Sequence, residues 1–237
     1  MLTKEQIYSY HKNGFVVPDF KLPEEDLLEI EKKHFELIKK YPEYINYCPA
    51  VLLKDHTFLK YCMNSKILKF VEQLIGNNFA LWNSSFFAKP SKNGFETPWH
   101  QDGQYWPISP LATCTVWLAI DDANEENGCL RFIKGSHKNQ KLRKHKRNSG
   151  ENLTLHQEID KSELDASQLH NLILARGQIS LHDVYIIHGS KENKSSNPRR
   201  AMTMRYMPLT SKFDHDFIFD SKPSFKINKI YKVINQK

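Results

Sequence analysis

The chain has 237 residues, a formal net charge of +7, and 40% hydrophobic against 26% charged residues, a balance that excludes a disordered chain and a membrane-embedded one. No stretch approaches the roughly 20 apolar residues that span a bilayer, and the polar opening Met1 to Gln6 lacks the apolar segment of a secretion signal. A single cytoplasmic domain, residues 1–237, is the expectation, with Cys48, Cys62, Cys114 and Cys129 as free thiols.

Thr3 and Gln6 form a capping-box pattern that opens a short helix, with Ile7 and Tyr10 inward and Gly14 as its stop. Phe15 to Val17 reads as a short strand. A longer helix begins at Pro23, with Glu24, Glu25 and Asp26 in its first turn, Lys39 and Lys40 in its last, and a stripe of Leu27, Ile30, His34, Leu37 and Ile38. Asn64 caps another helix carrying Ile67, Leu68, Val71, Leu74 and Ile75, which Gly76 ends. Residues 1–78 thus read as helical support.

From Phe79 the texture changes to short alternating or apolar runs between turns, the pattern of an antiparallel sandwich or barrel over 79–210. Phe79 to Lys89 and Thr113 to Ile120 are the first clear strands. The second sets Thr113, Thr115, Trp117 and Ala119 on one face and Cys114, Val116, Leu118 and Ile120 on the other. Cys129 to Ile133 follows an acidic turn. The basic run Lys138 to Asn148 opens an insert or lid loop, 138–170, read as a solvated loop. Leu172 to Ala175, Ile179 to Ile187 and Arg200 to Met207 read as further strands, and 211–237 as a tail without clear order.

Within this frame His100 and Asp102 stand two apart, so an extended chain projects both from one face. An imidazole and a carboxylate converging on one ion are two thirds of the two-His-one-carboxylate triad of non-haem Fe(II) sites. By itself the spacing is common. Downstream, His137, His182 and His188 compete for the third place. His182 and His188 would lie about 20 Å apart on one extended run, so only one of them can serve. His188, at the end of an apolar run before Gly189 and Ser190, is the better placed, leaving His182 to packing or to hydrogen bonding behind a ligand. Arg199 is a natural bidentate clamp for a carboxylate, and strand alternation sends Arg200 to the other face.

Trp99 to Pro107, Asn127 to His137, and His188-Gly189-Ser190 with Arg199 together resemble the phytanoyl-CoA dioxygenase family of Fe(II)- and 2-oxoglutarate-dependent oxygenases, as does the pattern from Leu2 to Val17. The resemblance implies a mainly β, double-stranded β-helix (jelly-roll, cupin-like) core. It makes His100, Asp102 and His188 the iron ligands and Arg199 the clamp on 2-oxoglutarate, with Trp117, Ser190 and Ser85 lining the co-substrate pocket. Gln101, Gln104, Tyr105 and Trp106 are expected on the substrate side. The implied reaction uses O2, releases succinate and CO2, and hydroxylates a small-molecule metabolite. Asp102 argues for hydroxylation, because related halogenases lack that carboxylate. Gln178, Lys191 and Ser91 depart from the family pattern in loops only. The net charge favours an anionic substrate. Two other readings are a nucleic-acid-binding or demethylating protein using residues 138–148, which carry no stacking aromatic, and a jelly-roll binding protein without turnover.

Overall fold

The structure is a computed structural model that describes residues 1–214 and the backbone of 218–219, 222–223 and 231–234. Helix α1 (Lys4–Asn13) starts at the reciprocal Thr3 and Gln6 capping box and stops at Gly14, whose φ of 90° suits glycine. Strand β1 (Phe15–Val16) leads to helix α2 (Glu24–Lys40), which buries Leu27, Ile30, His34 and Leu37. Strand β2 (Tyr47–Cys48) and helix α3 (Leu59–Cys62), linked by 3-10 turns, are foreshadowed by no periodic pattern. Helix α4 (Ser65–Ile75) is capped by Asn64 and closed by Gly76, as predicted.

The strands that follow are β3 (Asn78–Lys89), β4 (Thr97–His100), β5 (Ile108–Ser109), β6 (Cys114–Ala119), β7 (Arg131–Ile133), β8 (His145–Arg147), β9 (Gln157–Ile159), β10 (Leu169–Asn171), β11 (Ile179–Asp183), β12 (His188–Ser190), β13 (Arg199–Pro208), β14 (Lys212–Phe213), β15 (Ile218–Phe219), β16 (Lys222–Pro223) and β17 (Tyr231–Ile234). They build two main antiparallel sheets, a larger one in the order β1-β11-β6-β13-β3-β17, with β2 also on β3, and a smaller one in the order β10-β7-β12-β4, beside the two-stranded pairs β5-β14, β8-β9 and β15-β16. This is the expected jelly roll. Both faces of the larger sheet are covered. Cys114, Val116 and Leu118 of β6 and Met202, Met204 and Tyr206 of β13 pack against Leu27, Ile30, Ile67 and Val71 of the helices, each buried Leu or Ile contributing about 1.5–3 kcal/mol. The alternate residues, including Thr115, Trp117, Arg199, Thr203 and Arg205, line a cavity between the sheets.

Several expectations are corrected. The run Ile179 to Ile187 is not one strand. Asp183 Oδ1 accepts the Tyr185 N–H at 2.8 Å, turning the chain, and His188 begins a strand in the opposite sheet. Leu172 to Ala175 forms no strand apart from a bridge between Leu174 and Ala123; the ladder with β7 lies just upstream, at Leu169–Asn171. The basic run enters a hairpin, β8 with β9, in which Lys146 pairs with Glu158 and Asp160. Opposite charges on the returning strand give it an order that the run alone does not reveal. In the tail, β17 pairs with β3, whereas the remainder of the tail beyond Asp214, apart from β15 and β16, lies outside the described residues.

On the outer face, Arg200 donates through Nε to Asp121 Oδ2 at 2.8 Å and through Nη2 to Asp121 Oδ1 at 2.6 Å, and Nη2 also reaches Glu31 Oε1 of α2. These side chains are only 14–24% exposed, so the group ties helix to sheet. Arg200→Ala is expected to lower the unfolding free energy by about 1–3 kcal/mol in urea titration, with metal content unchanged. A variant as stable as the parent would show the tie to be dispensable.

Candidate active site

Strand β4 ends at His100, and after the extended Gln101 the chain turns into a 3-10 segment that begins with Asp102. His100 Nε2 then lies 3.5 Å from Asp102 Oδ1. From β12, which pairs His188 with His100, His188 Nε2 comes within 3.9 Å of the same oxygen. The three residues are buried, and their ligand atoms lie within 4.8 Å of one another. What aims them is backbone. His100 Nδ1 is 2.8 Å from the Pro98 carbonyl and His188 Nδ1 is 3.1 Å from the Ile186 carbonyl. A carbonyl can only accept, so each Nδ1 carries the proton and each Nε2 presents its lone pair to the shared centre.

Burial lowers the His188 imidazole well below its usual range, keeping it neutral. Burial would raise the Asp102 carboxyl, but contacts with His100 and His182 and the nearby Arg205 outweigh it and hold it well below the usual carboxylate range. Neutral imidazole and ionised carboxylate are the states in which these groups ligate a metal. Two nitrogens and one oxygen on one side, with a cavity on the other, fit a divalent transition metal such as Fe(II).

That cavity is lined by the three residues together with Trp117, Ser190, Arg199 and others. Arg199, 2% exposed, donates through Nε to the Gly128 carbonyl at 3.2 Å and through Nη1 to the Phe87 carbonyl at 2.9 Å, and its guanidinium carbon lies 5.5 Å from the Trp117 ring centre. Burial pushes it down to about 10, so it stays cationic at neutral pH. Gly128, at φ 82°, has no room for a side chain, since an added Cβ would meet the Lys191 carbonyl at 2.5 Å. Arg200 faces outward, as alternation predicts.

Other expected residues are placed differently. Gln101 points away from the cavity, because the residue between two ligands on an extended chain faces the other way. Its side chain donates to the Lys141 and Tyr185 carbonyls and accepts from Arg143 N–H at 2.7 Å, pinning the 138–148 segment beside β4. Gln104 lies on the 3-10 turn, and neither it, Tyr105 nor Trp106 lines the cavity. Tyr105 stacks edge-on to His100 and His145 at 6.0 and 6.1 Å, and Trp106 packs into a cluster with Trp82, Ile108 and Val184. Ser85 sits behind the wall, accepting from Arg205.

The distance argument that separated His182 from His188 fails, because the turn after Asp183 folds the run back. Their rings are 5.1 Å apart. His182 lines the cavity with Nε2 at 3.9 Å from Asp102 Oδ2, and neither ring nitrogen has a hydrogen-bond partner. The compact ligand group nonetheless comprises His100, Asp102 and His188. Residues missed in the sequence, Thr115, Thr203 and Arg205, were signalled by period two from Trp117 and Arg199.

A family model described as phytanoyl-CoA dioxygenase (PhyH) matches residues 46–201. The human protein named phytanoyl-CoA dioxygenase, peroxisomal, is 28% identical over 235 residues, covering 87% of this chain and 68% of its own length. Among solved structures, the non-haem monooxygenase ThoJ in its apo form superposes with a TM-score of 0.78 at 20% identity, over 98% of this chain and 84% of its own. EctD from S. alaskensis, solved with 2-oxoglutarate and 5-hydroxyectoine, gives 0.78 at 16% identity, over 96% and 84% of the two chains.

His100→Ala and Asp102→Ala are each expected to abolish stoichiometric Fe(II) retention after desalting. Gln101→Met, by contrast, should retain iron while raising amide hydrogen exchange across 138–148. Full iron retention by either ligand variant would refute the assignment.

Proposed function

This chain belongs to the phytanoyl-CoA dioxygenase family, and we propose from that premise that it hydroxylates a small-molecule metabolite, with His100, Asp102 and His188 holding Fe(II) and Arg199 holding 2-oxoglutarate. It is an enzyme of the Fe(II)- and 2-oxoglutarate-dependent class. The observation that carries the proposal is the joint placement of two Nε2 atoms, one carboxylate and a buried guanidinium around a single cavity. When bound, iron, 2-oxoglutarate and O2 together convert a substrate C–H to C–OH while 2-oxoglutarate is cleaved to succinate and CO2.

The chain's own residues orient and enclose. The Pro98 and Ile186 carbonyls fix both imidazoles, so the ligand face is set before metal arrives. Gly128 and Phe87 hold the Arg199 guanidinium through backbone carbonyls, with no carboxylate among the described residues bonded to its fork, which suits a bidentate pair with the distal carboxylate of the co-substrate. Trp117 forms the wall beneath that guanidinium and Ser190 the wall next to His188. The human relative's name specifies an acyl-CoA.

The hairpin of the basic run answers Lys146 with its own Glu158 and Asp160 and Arg143 with Glu163, which speaks against a nucleic-acid surface there. No described helix is long and apolar enough to cross a membrane. The four unpaired, buried cysteines support a reducing compartment, in our reading the cytoplasm.

A metabolite screen coupled to succinate release tests the proposal. The parent with Fe(II) and 2-oxoglutarate should release succinate above background for at least one metabolite. Arg199→Ala is expected to raise the apparent 2-oxoglutarate requirement roughly 30-fold or more, the scale of about 2 kcal/mol for losing one partner of a buried charge pair, with iron retained. If Arg200→Ala produced that shift instead, the wrong arginine would have been chosen.

A further inference from the structure

Arg199 is not alone in the cavity. Strand β13 alternates, so Arg199, Ala201, Thr203 and Arg205 share its inner face, and Arg205 lines the same cavity as the metal residues. It is 4% exposed. Its Nη1 donates to Ser85 Oγ at 2.8 Å, while its Nε is buried with no acceptor. The Trp106 and Phe87 rings flank it, with centres 5.2 and 5.8 Å from the guanidinium carbon. Among the described residues no Asp or Glu forms an ion pair with it. Among the described residues the one carboxylate lining the cavity is Asp102, near enough to Arg205 to feel its charge, and on the reading above that carboxylate is committed to the metal.

A guanidinium has five N–H donors, and taking it out of water without a counter-charge costs several kcal/mol. Aromatic faces offset part of that, and Ser85 offers one neutral acceptor. The remainder calls for an anion from outside the chain. The 2-oxoglutarate carboxylate is assigned to Arg199, and the two arginines are six residues apart on one strand, about 20 Å between Cα atoms. Their guanidinium groups have different surroundings, the Gly128 and Phe87 carbonyls with Trp117 for Arg199, and Ser85 with the Trp106 and Phe87 rings for Arg205.

We propose that Arg205 anchors a carboxylate of the substrate to be hydroxylated, so that the enzyme acts on small carboxylic acids. This rests on the iron and 2-oxoglutarate reading above. A carboxylate fits better than a phosphate because, among the described residues, Arg199 and Arg205 are the only Lys or Arg residues lining the cavity. With Arg199 engaged, a single guanidinium between two rings balances one negative charge and matches a planar, two-oxygen group.

The test measures succinate release by the iron-loaded enzyme with a panel of small carboxylic acids, each beside its primary amide, for the parent, Arg205→Met and Arg205→Lys. At least one acid should stimulate release in the parent while its amide does not. Arg205→Met, similar in length and apolar, should lower kcat/KM for that acid about 100-fold, with the loss confined to the acid and not carried by KM for 2-oxoglutarate. Arg205→Lys should recover part of it, because charge without the planar fork is restored. The inference is overturned if amides stimulate as well as acids, if Arg205→Met keeps the acid's kcat/KM, or if it raises the 2-oxoglutarate KM instead. Substrate-free succinate release with no stimulation by any acid overturns this inference and leaves the iron and 2-oxoglutarate reading standing. A parent that neither retains iron nor releases succinate overturns that reading as well.

Discussion

A β-strand sends successive side chains to opposite faces, and in this protein both faces of the larger sheet are covered. β6 and β13 therefore carry two messages in one run. Val116, Leu118, Met202 and Met204 face the helices, while Trp117, Arg199, Thr203 and Arg205 face the cavity. The helical layer frees the inner face to be polar, since the apolar half of each strand already supplies a core. A one-residue slip of β13 would put Arg200 in the cavity and Arg199 against α2. The Arg200 tie to Asp121 and Glu31 holds the register from outside, at the same strand end where Arg199 meets Gly128.

The smaller sheet contributes orientation. β4 and β12 run antiparallel with His100 opposite His188, and each imidazole bonds a carbonyl two residues back in its own chain. A local bond of that kind is set by backbone direction alone, so the lone pairs converge once the two strands pair. Gln101, between the ligands, uses the opposite face to secure the segment that runs alongside. Ligand strand and covering segment are thereby one hydrogen-bonded unit.

Local chemistry explains which parts were legible in the sequence. The Thr3 capping box, the Gly14 stop and the Asn64 cap depend on residues within a few positions of each other, and all three formed. The alternation in β6 and the choice between Arg199 and Arg200 follow from period two. The break after Asp183 was hidden because Val184, Tyr185, Ile186 and Ile187 are apolar on either side of the turn, and an Asp side chain accepting two residues on leaves no glycine or proline as a marker. The order in the basic run was hidden because its partners lie on the returning strand, Glu158, and just past its end, Asp160. Arg205 was overlooked although the rule that chose Arg199 also selects it.

Charge bookkeeping in the cavity links these observations. Two guanidinium groups against the Asp102 carboxylate leave one positive charge among the Arg and Asp side chains lining the cavity. A ferrous ion held by His100, Asp102 and His188 would add two. A 2-oxoglutarate dianion would compensate two of the resulting three, and in a water-poor site an unmatched charge is costly. A second dianion would overshoot, and a neutral substrate would leave the excess in place. One carboxylate closes the balance, and Arg205, the guanidinium on the cavity wall not assigned to the co-substrate, marks where it would sit.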